Sequence, residues 1–510
     1  MLAKISSATV QGIDGFLVHV EVDLSAGLPS FSTVGLPDAA VRESKDRVVA
    51  AVRNSGFDFP IRKITVNLSP ADIKKEGTAF DLPTAVGVLA AQEAVPSARL
   101  NGYVLVGELA LDGQVRPVRG MLPIALAARD AKCAGVIFPA NNWDEASVVD
   151  GVDLVPVSTL TETVRFLRGD WRPALPTRVP SAGGGNGFCG ADFADVKGQI
   201  FAKRALEVAA AGGHNVLMVG PPGSGKTMLA KRMPGILPAM GFEESLQTSK
   251  IHSVAGLLGR GHALLSARPF RSPHHTISNV ALVGGGNFPR PGEVSLAHHG
   301  VLFLDELPEF NRNVLEVLRQ PLEDGCVTVS RAASSLTFPA RFMLIAAMNP
   351  CPCGYYGHPE RHCVCTPFQV QKYRAKVSGP LLDRIDLHIE VPALRVSELT
   401  EGAPAGESTE VLRERVMAAR ARQGARLSAA GLFCNAQMNA RQVKEFCAVD
   451  AACRELLKMA VSRLGLSARS FDRILKVART LADLAGVENI AQEHVAEAIG
   501  YRSFDRPPEY

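Results

Sequence analysis

Several things are missing from this 510-residue chain, and each absence removes a class of protein. No uninterrupted apolar run of about eighteen residues occurs, which argues against a membrane-spanning helix and against a membrane as partner. The opening MLAKISSATVQGIDGF lacks the charged, then apolar, then small-residue order of a secretory signal, so the cytoplasm is the expected compartment. Net charge is scarce: the formal value of +4 is too small to name a partner, although it permits a local basic surface for nucleic acid. No short tandem repeat is present.

What remains is ordinary soluble composition, 46% apolar and 21% charged, on a chain long enough for two to four domains. Residues 1–168 alternate β-rich runs (LVHVEVDL, KITVNL, YVLVGELAL, GVIFP) with Ala-rich helical ones (DLPTAVGVLAAQEA, MLPIALAARDAKCAG), which predicts an α/β domain. A Pro- and Gly-rich stretch over residues 169–189 reads as a linker. Residues 190–392 carry apolar strands HNVLMVG, GVLFLDE and FMLIAAMN, whose length and turn boundaries suit a parallel sheet buried on both faces. Residues 393–510 open with the polar SELTEGAPAGESTE and continue as helix, with Cys453, Leu456, Leu457, Ala460, Val461 and Leu464 at helical spacing, as are Phe471, Ile474, Leu475, Ala478 and Leu481.

Directly after HNVLMV comes 220-GPPGSGKT-227, every position of a G-x-x-x-x-G-K-[ST] phosphate loop filled: Gly220, Pro221, Pro222, Gly223, Ser224, Gly225, Lys226 and Thr227. Glycines let backbone N–H groups point at phosphate oxygens, the following helix adds positive potential, and Lys226 reaches the β- and γ-phosphates. Thr227 supplies a hydroxyl to Mg²⁺. Downstream, 300-GVLFLDEL-307 ends a strand in two carboxylates. Asp305 would hold the magnesium through water, and Glu306 would polarise the attacking water. The third strand ends in Asn349, suited to orienting that water; a turn-forming Asn before Pro350 is the competing reading. These residues make the chain an expected ATPase with ATP and Mg²⁺ as substrate and ion.

The set Lys226, Asp305, Glu306 and Asn349 resembles the Walker A, Walker B and sensor 1 positions of an AAA+ ATPase. With 292-GEVSLAHHGVLFLDEL-307, 378-SGPLLDRIDLHIEVP-392, 467-SARSFDRILKVARTLADLAG-486, 27-GLPSFSTVGLPDAAVRESKDRVVAAV-52 and 75-KEGTAFDLP-83, the chain resembles the magnesium-chelatase-type ComM (YifB) family along essentially its whole length. That resemblance implies a Lon-protease-like N-terminal domain, an AAA+ core and a helical lid. It implies that Arg384 is an arginine finger reaching the neighbouring subunit's γ-phosphate and that Arg469 is sensor 2. It also implies a homo-oligomeric, hexameric ring that acts on single-stranded or branched DNA as a helicase, promoting branch migration during natural transformation. Residues 234–299 look like that clade's helix-2 insert, with Arg271 within it. The stretch 325-GCVTVSRAASSLTFPARF-342 reads as a β-hairpin with Arg331 near its tip, and in hexameric relatives such loops touch DNA. A metal-chelatase motor, a DNA-associated scaffold whose nucleotide only sets oligomeric state, and a protease or remodeller are the alternatives. For proteolysis, the Lon nucleophile and base positions are filled by Ala79 and Leu122, with Thr78 one residue off, so no activated nucleophile is expected.

Three features stand outside this scheme. The stretch 350-PCPCGYYGHPERHCVCTP-367 places Cys351, Cys353, Cys363 and Cys365 in a C-x-C-x₉-C-x-C spacing, with His358 and His362 as competing ligands. Structural Zn²⁺ is the favoured reading; reduced thiols and a disulfide are the others. The remaining cysteines (Cys133, Cys189, Cys326, Cys434, Cys447, Cys453) are expected to be buried small hydrophobes. The His pairs 274–275 and 298–299 read as polar interface residues, since no Cys, Asp or Glu completes a metal set. Finally, Arg413, Arg415, Arg420, Arg422 and Arg426 lie on a predicted helix; a solvated face is the favoured reading, phosphate contact with DNA the other.

Overall fold

The computed structural model describes residues 1–71, 75, 77–177, 192–258, 263–286, 289–331, 334–393, 406–464 and 467–502. The linker beyond Thr177 with Cys189, the polar stretch through Ala405, the hairpin tip and the Arg331 side chain lie outside these residues. The chain divides into two compact units: Met1–Gly185 with Phe242–Ser266, and Asn186–Gly241 with Ala267–Tyr510.

In the first unit, β1 (Leu2–Gln11), β2 (Asp14–Ser25), β3 (Ser30–Val34), α1 (Ala39–Asn54), β4 (Lys63–Ser69), α2 (Asp81–Ala91), β5 (Tyr103–Leu105), α3 (Met121–Asp130), β6 (Gly135–Pro139), β7 (Asp153–Val157) and α4 (Leu160–Arg168) follow one another. Their seven strands form one sheet in the order β3-β4-β2-β1-β5-β6-β7. The long β1–β2 and β2–β4 pairs are antiparallel and the rest parallel. Alternation sets which face is inward: Val18, Val20, Val22 and Leu24 of β2 and Ile64, Val66 and Leu68 of β4 are all buried. Helix α2 is apolar apart from Asp81 and Thr84 and is buried along its whole length. Helix α1 is two-faced; Asp38 caps it by accepting from the Val41 N–H at 2.8 Å, and Val41, Val48, Ala51 and Val52 point inward.

The second unit begins with α5 (Ile200–Gly212), β8 (Val216–Val219) and α6 (Lys226–Ile236). The chain then passes through α7 (Phe242–Ala255), which belongs to the first unit. There Lys250 pairs with Asp14 at 2.5 Å, the Ser253 hydroxyl donates to Glu145 at 2.5 Å, and Leu246 and Leu264 pack on the core around α3. The second unit resumes with β9 (Phe270–Arg271), β10 (Val301–Leu304), the hairpin β11 (Cys326–Arg331) and β12 (Ser334–Pro339), β13 (Met343–Met348), α8 (Pro367–Arg374), β14 (Leu387–Glu390), α9 (Thr409–Leu427), α10 (Ala451–Leu464), α11 (Ala468–Ala485) and α12 (Gln492–Gly500).

Five of these strands form a sheet in the order β9-β10-β13-β8-β14, every pair parallel. The continuous apolar strands have the expected physical cause. Val216 and Met218 of β8 face one core while Leu217 and Val219 face another, so neither side meets water. The C-terminal helices contribute Leu457, Ile474, Ala478, Leu481 and Val495 to the first of those cores. The cysteines divide: Cys434, Cys447 and Cys453 are buried as expected, whereas Cys133 and Cys326 are only half-buried.

Candidate functional site

Strand order decides what meets at the sheet's C-terminal edge. Because β13 lies between β8 and β10, the end of the third apolar strand falls between the phosphate loop and the carboxylate pair. The loop itself is seated by close backbone contact. A Cβ on Gly220 would stand 2.0 Å from the Val391 carbonyl oxygen, so no larger residue fits there. The Gly220 N–H donates to Met348 O at 3.2 Å, and Gln199 Nε2 donates to Ser224 O and Pro392 O at 3.3 and 2.7 Å. Gly225 takes φ 90°, turning the chain into α6 at Lys226.

Five expected residues are brought together here. Lys226 Nζ donates to Gly220 O at 2.7 Å, to Pro221 O at 2.9 Å and to Asn349 Oδ1 at 3.4 Å. Burial lowers the pKa of Lys226, and Asp305 and Glu306 partly counter it. The Thr227 hydroxyl donates to Asp305 Oδ2 at 2.6 Å. Glu306 has φ 52°, a left-handed conformation uncommon for a residue with a side chain, and its carboxylate lies 3.6 Å from His275 Nδ1. An ammonium, a hydroxyl and two carboxylates at a helix N-terminus suit a magnesium-bound phosphate chain.

Sequence reasoning missed three neighbours. His275 beside Glu306 is one. Tyr373, close to Asn349, is another; burial pushes its phenol up to about 12. The third is Glu323. One of its carboxylate oxygens lies 2.6 Å from Arg384 Nη2 and 3.1 Å from Arg469 Nη2. The two arginines taken as finger and sensor therefore share one acid in the same chain. Arg384 is almost wholly buried and also donates to Pro380 O at 2.6 Å. Behind it, Asp386 accepts from Arg473 and from the Asn215 N–H at 3.0 Å, with His214 Nδ1 at 3.5 Å. Burial pushes this carboxyl up, but Arg473 and His214 outweigh burial and hold it well below the usual range.

The basic helix is neither a solvated face nor a free cationic stripe. Arg413 donates to Gly235 O, Arg420 to Ala210 O and Phe433 O, and Arg422 to Asp483 O. Arg415 pairs with Glu207 and Glu407, and Arg426 with Asp483. Arg420 thus satisfies the carbonyl end of α5. Arg271 is held bidentate by Glu293 at 2.6 and 2.7 Å. The guanidiniums of Arg271 and Arg420, both candidates for DNA contact, are committed to internal acceptors. His298 is a buried structural acceptor, its Nδ1 3.0 Å from the Arg341 N–H, which ties the approach to β10 to the approach to β13.

The cysteine sulfurs converge. Cys351, Cys353, Cys363 and Cys365 place all four sulfurs within 4.8 Å of one another. His358 is outside the set, its Nδ1 accepting from the N–H groups of Glu360 and Arg361, both at 3.1 Å. In the first unit, Leu122 is fully buried and the Thr78 hydroxyl is hydrogen-bonded to Glu108.

Known families and relatives match the chain along its length. Residues 192–399 match the family described as magnesium chelatase, subunit ChlI. Residues 20–142 match subunit ChlI of Mg-chelatase, and residues 406–502 the ChlI C-terminal family. The competence protein ComM of Haemophilus influenzae is 46% identical over 507 residues, 99% of this chain and 98% of that one. YifB of Escherichia coli K12 is 43% identical over 507 residues, with 99% and 98% covered. Lon protease 2 of Bacillus subtilis is 25% identical over 167 residues, 29% of this chain and 30% of that protein.

Proposed function

Since the chain belongs to the ComM and YifB family of magnesium-chelatase-type AAA+ proteins, we propose that it hydrolyses ATP as a ring of identical subunits and moves along DNA. Its task in this reading is branch migration that integrates imported single-stranded DNA during natural transformation, in line with the name of its Haemophilus relative. The observation that carries the reading is the meeting of Lys226 with Asn349 and of Thr227 with Asp305 at one edge of a parallel sheet.

The mechanism follows from those positions. Lys226 exchanges its loop carbonyls for the β- and γ-phosphate oxygens. Thr227 and Asp305 would hold a Mg²⁺ whose charge neutralises those oxygens. Glu306 takes a proton from the attacking water, and Asn349 orients it. Arg384 leaves Glu323 and reaches the phosphate held by the next subunit, so hydrolysis depends on assembly. Arg331, at the end of β11, is the remaining candidate for contact with DNA phosphates.

The family descriptions also favour a second reading, a motor for Mg²⁺ insertion into a porphyrin. Full-length identity to ComM supports DNA as the substrate. The test is ATP turnover with and without DNA, together with displacement of a labelled strand from a three-strand junction. Turnover should rise with DNA, and Lys226→Ala and Glu306→Gln should abolish both activities. Turnover indifferent to DNA but raised by a porphyrin-binding partner would establish the chelatase reading instead.

A further inference from the structure

The cysteine knuckle lies against the phosphate loop, and its geometry is that of a closed metal site. The S···S separations are 3.4 Å for Cys351–Cys353, 3.7 Å for Cys351–Cys363 and 3.6 Å for Cys353–Cys363. They are too long for a disulfide. A tetrahedron with Zn–S bonds of about 2.3 Å has edges of about 3.8 Å, so the sulfurs already stand at ligand spacing.

A second observation is independent of spacing. The Tyr356 N–H donates to Cys351 Sγ at 3.3 Å. Such an N–H donor supplies the outer support that metal–thiolate sites need. The Gly354 N–H closes the turn onto Cys351 O at 3.0 Å.

The knuckle also has a definite neighbour. Gly354 has φ 86°, and a Cβ placed on it would stand 2.6 Å from Cδ of Pro222 in the phosphate loop. The segment leaves β13 through Asn349 and Pro350 and re-enters helix at Pro367. Helix α8 then returns to the same point, with Arg374 Nε donating to Pro350 O at 3.2 Å. The four sulfurs therefore close a loop whose two ends meet at the sensor residue and whose turn rests on the phosphate loop.

We propose that Cys351, Cys353, Cys363 and Cys365 bind one Zn²⁺ per chain, and that the bound ion holds Gly354 against Pro222 so that nucleotide affinity depends on the metal. Four thiols give up their protons as the ion binds, and no open coordination position is left, so the role is structural and not hydrolytic. The coupling to nucleotide rests on the ATP reading above; the metal site does not.

The test uses untagged full-length chain. Zinc is counted by plasma mass spectrometry, and Co²⁺ substitution reports tetrathiolate ligation by its visible absorption. Affinity for a fluorescent ATP analogue is measured before and after metal extraction with a mercurial and chelator. One zinc per chain, lost in a Cys353→Ser, Cys363→Ser double variant, is expected, and extraction should weaken nucleotide binding at least about tenfold. Gly354→Ala guards against misfolding of the Cys variants. It keeps all four sulfurs, so zinc content should be unchanged while affinity falls by a similar factor. Chain that retains no zinc, or holds iron instead, overturns the site. Zinc bound but nucleotide affinity equal in loaded, extracted and Gly354→Ala chain overturns the coupling. If no form binds nucleotide while zinc is stoichiometric, the ATP reading and the coupling fail and the metal site stands.

Discussion

Acid should destabilise the second unit through its buried histidines, His214 among them, whose pKa burial lowers. Burial, reinforced by His299 and Arg341, pushes the His298 imidazole down to about 2. Burial, reinforced by Arg502, pushes His388 down to about 3. An unfolded chain binds a proton at each near the ordinary value of about 6.5. Between pH 7 and pH 5 the unfolded state therefore takes up protons that the folded state refuses, and stability falls as pH falls. His298 and His388 each contribute a loss of about 2 kcal/mol across that window, about 4 kcal/mol together. That is a large share of an ordinary folding free energy of about 5–15 kcal/mol. Both tryptophans, Trp143 and Trp171, lie in the first unit, so their fluorescence would report the wrong region. Hydrogen exchange of peptides covering Val301–Leu304 and Met343–Met348 at graded urea, at pH 7 and pH 5, reads the right one after correction for intrinsic exchange rates. His298→Asn keeps an acceptor for the Arg341 N–H and cannot titrate, so it should remove about 2 kcal/mol of the pH-dependent loss. Stability that is flat or rises from pH 7 to pH 5, or a loss unchanged in His298→Asn, refutes the reasoning.

Three further outcomes are expected. Asn349→Ala should lower ATP turnover about a hundredfold while nucleotide affinity stays within about threefold, since Asn349 acts on water and not on the bound phosphates; steady-state kinetics with equilibrium nucleotide titration checks it. Arg420→Ala should cost about 1–3 kcal/mol in urea unfolding, by leaving the Ala210 and Phe433 carbonyls without their donor, and should leave DNA affinity unchanged. Arg331→Ala should do the reverse, weakening DNA binding and reducing the slope of log affinity against log salt by about 0.9.

The sheet was readable from sequence because burial on both faces leaves no polar position in β8, β10 and β13, and the phosphate loop because its backbone demands fill every position with a fixed residue type. The arginines of α9 show where such reading fails. Their acceptors are largely main-chain carbonyls and acids more than a hundred residues away in several cases, and main-chain acceptors carry no side-chain signature. A basic stripe therefore looks the same whether it meets solvent, DNA or a helix end. Glu323 was invisible for a similar reason: one acid within the short helix Arg319–Asp324 becomes important only because the fold brings Arg384 and Arg469 to it. Helix α7 gave no sign of packing in the first unit, because its composition is compatible with either core. The cysteine spacing suggested a metal; that the turn rests on Pro222 follows only from the fold.

Subunit mixing tests the shared ATP site most directly. Lys226→Ala chains keep Arg384, and Arg384→Ala chains keep Lys226. If neighbours build each site together, equimolar mixing of the two inactive variants creates some junctions with both groups intact, and DNA-stimulated turnover reappears. Mixed assemblies that form yet stay as inactive as either variant alone, or an Arg384→Ala chain with undiminished turnover, would contradict a site completed across subunits.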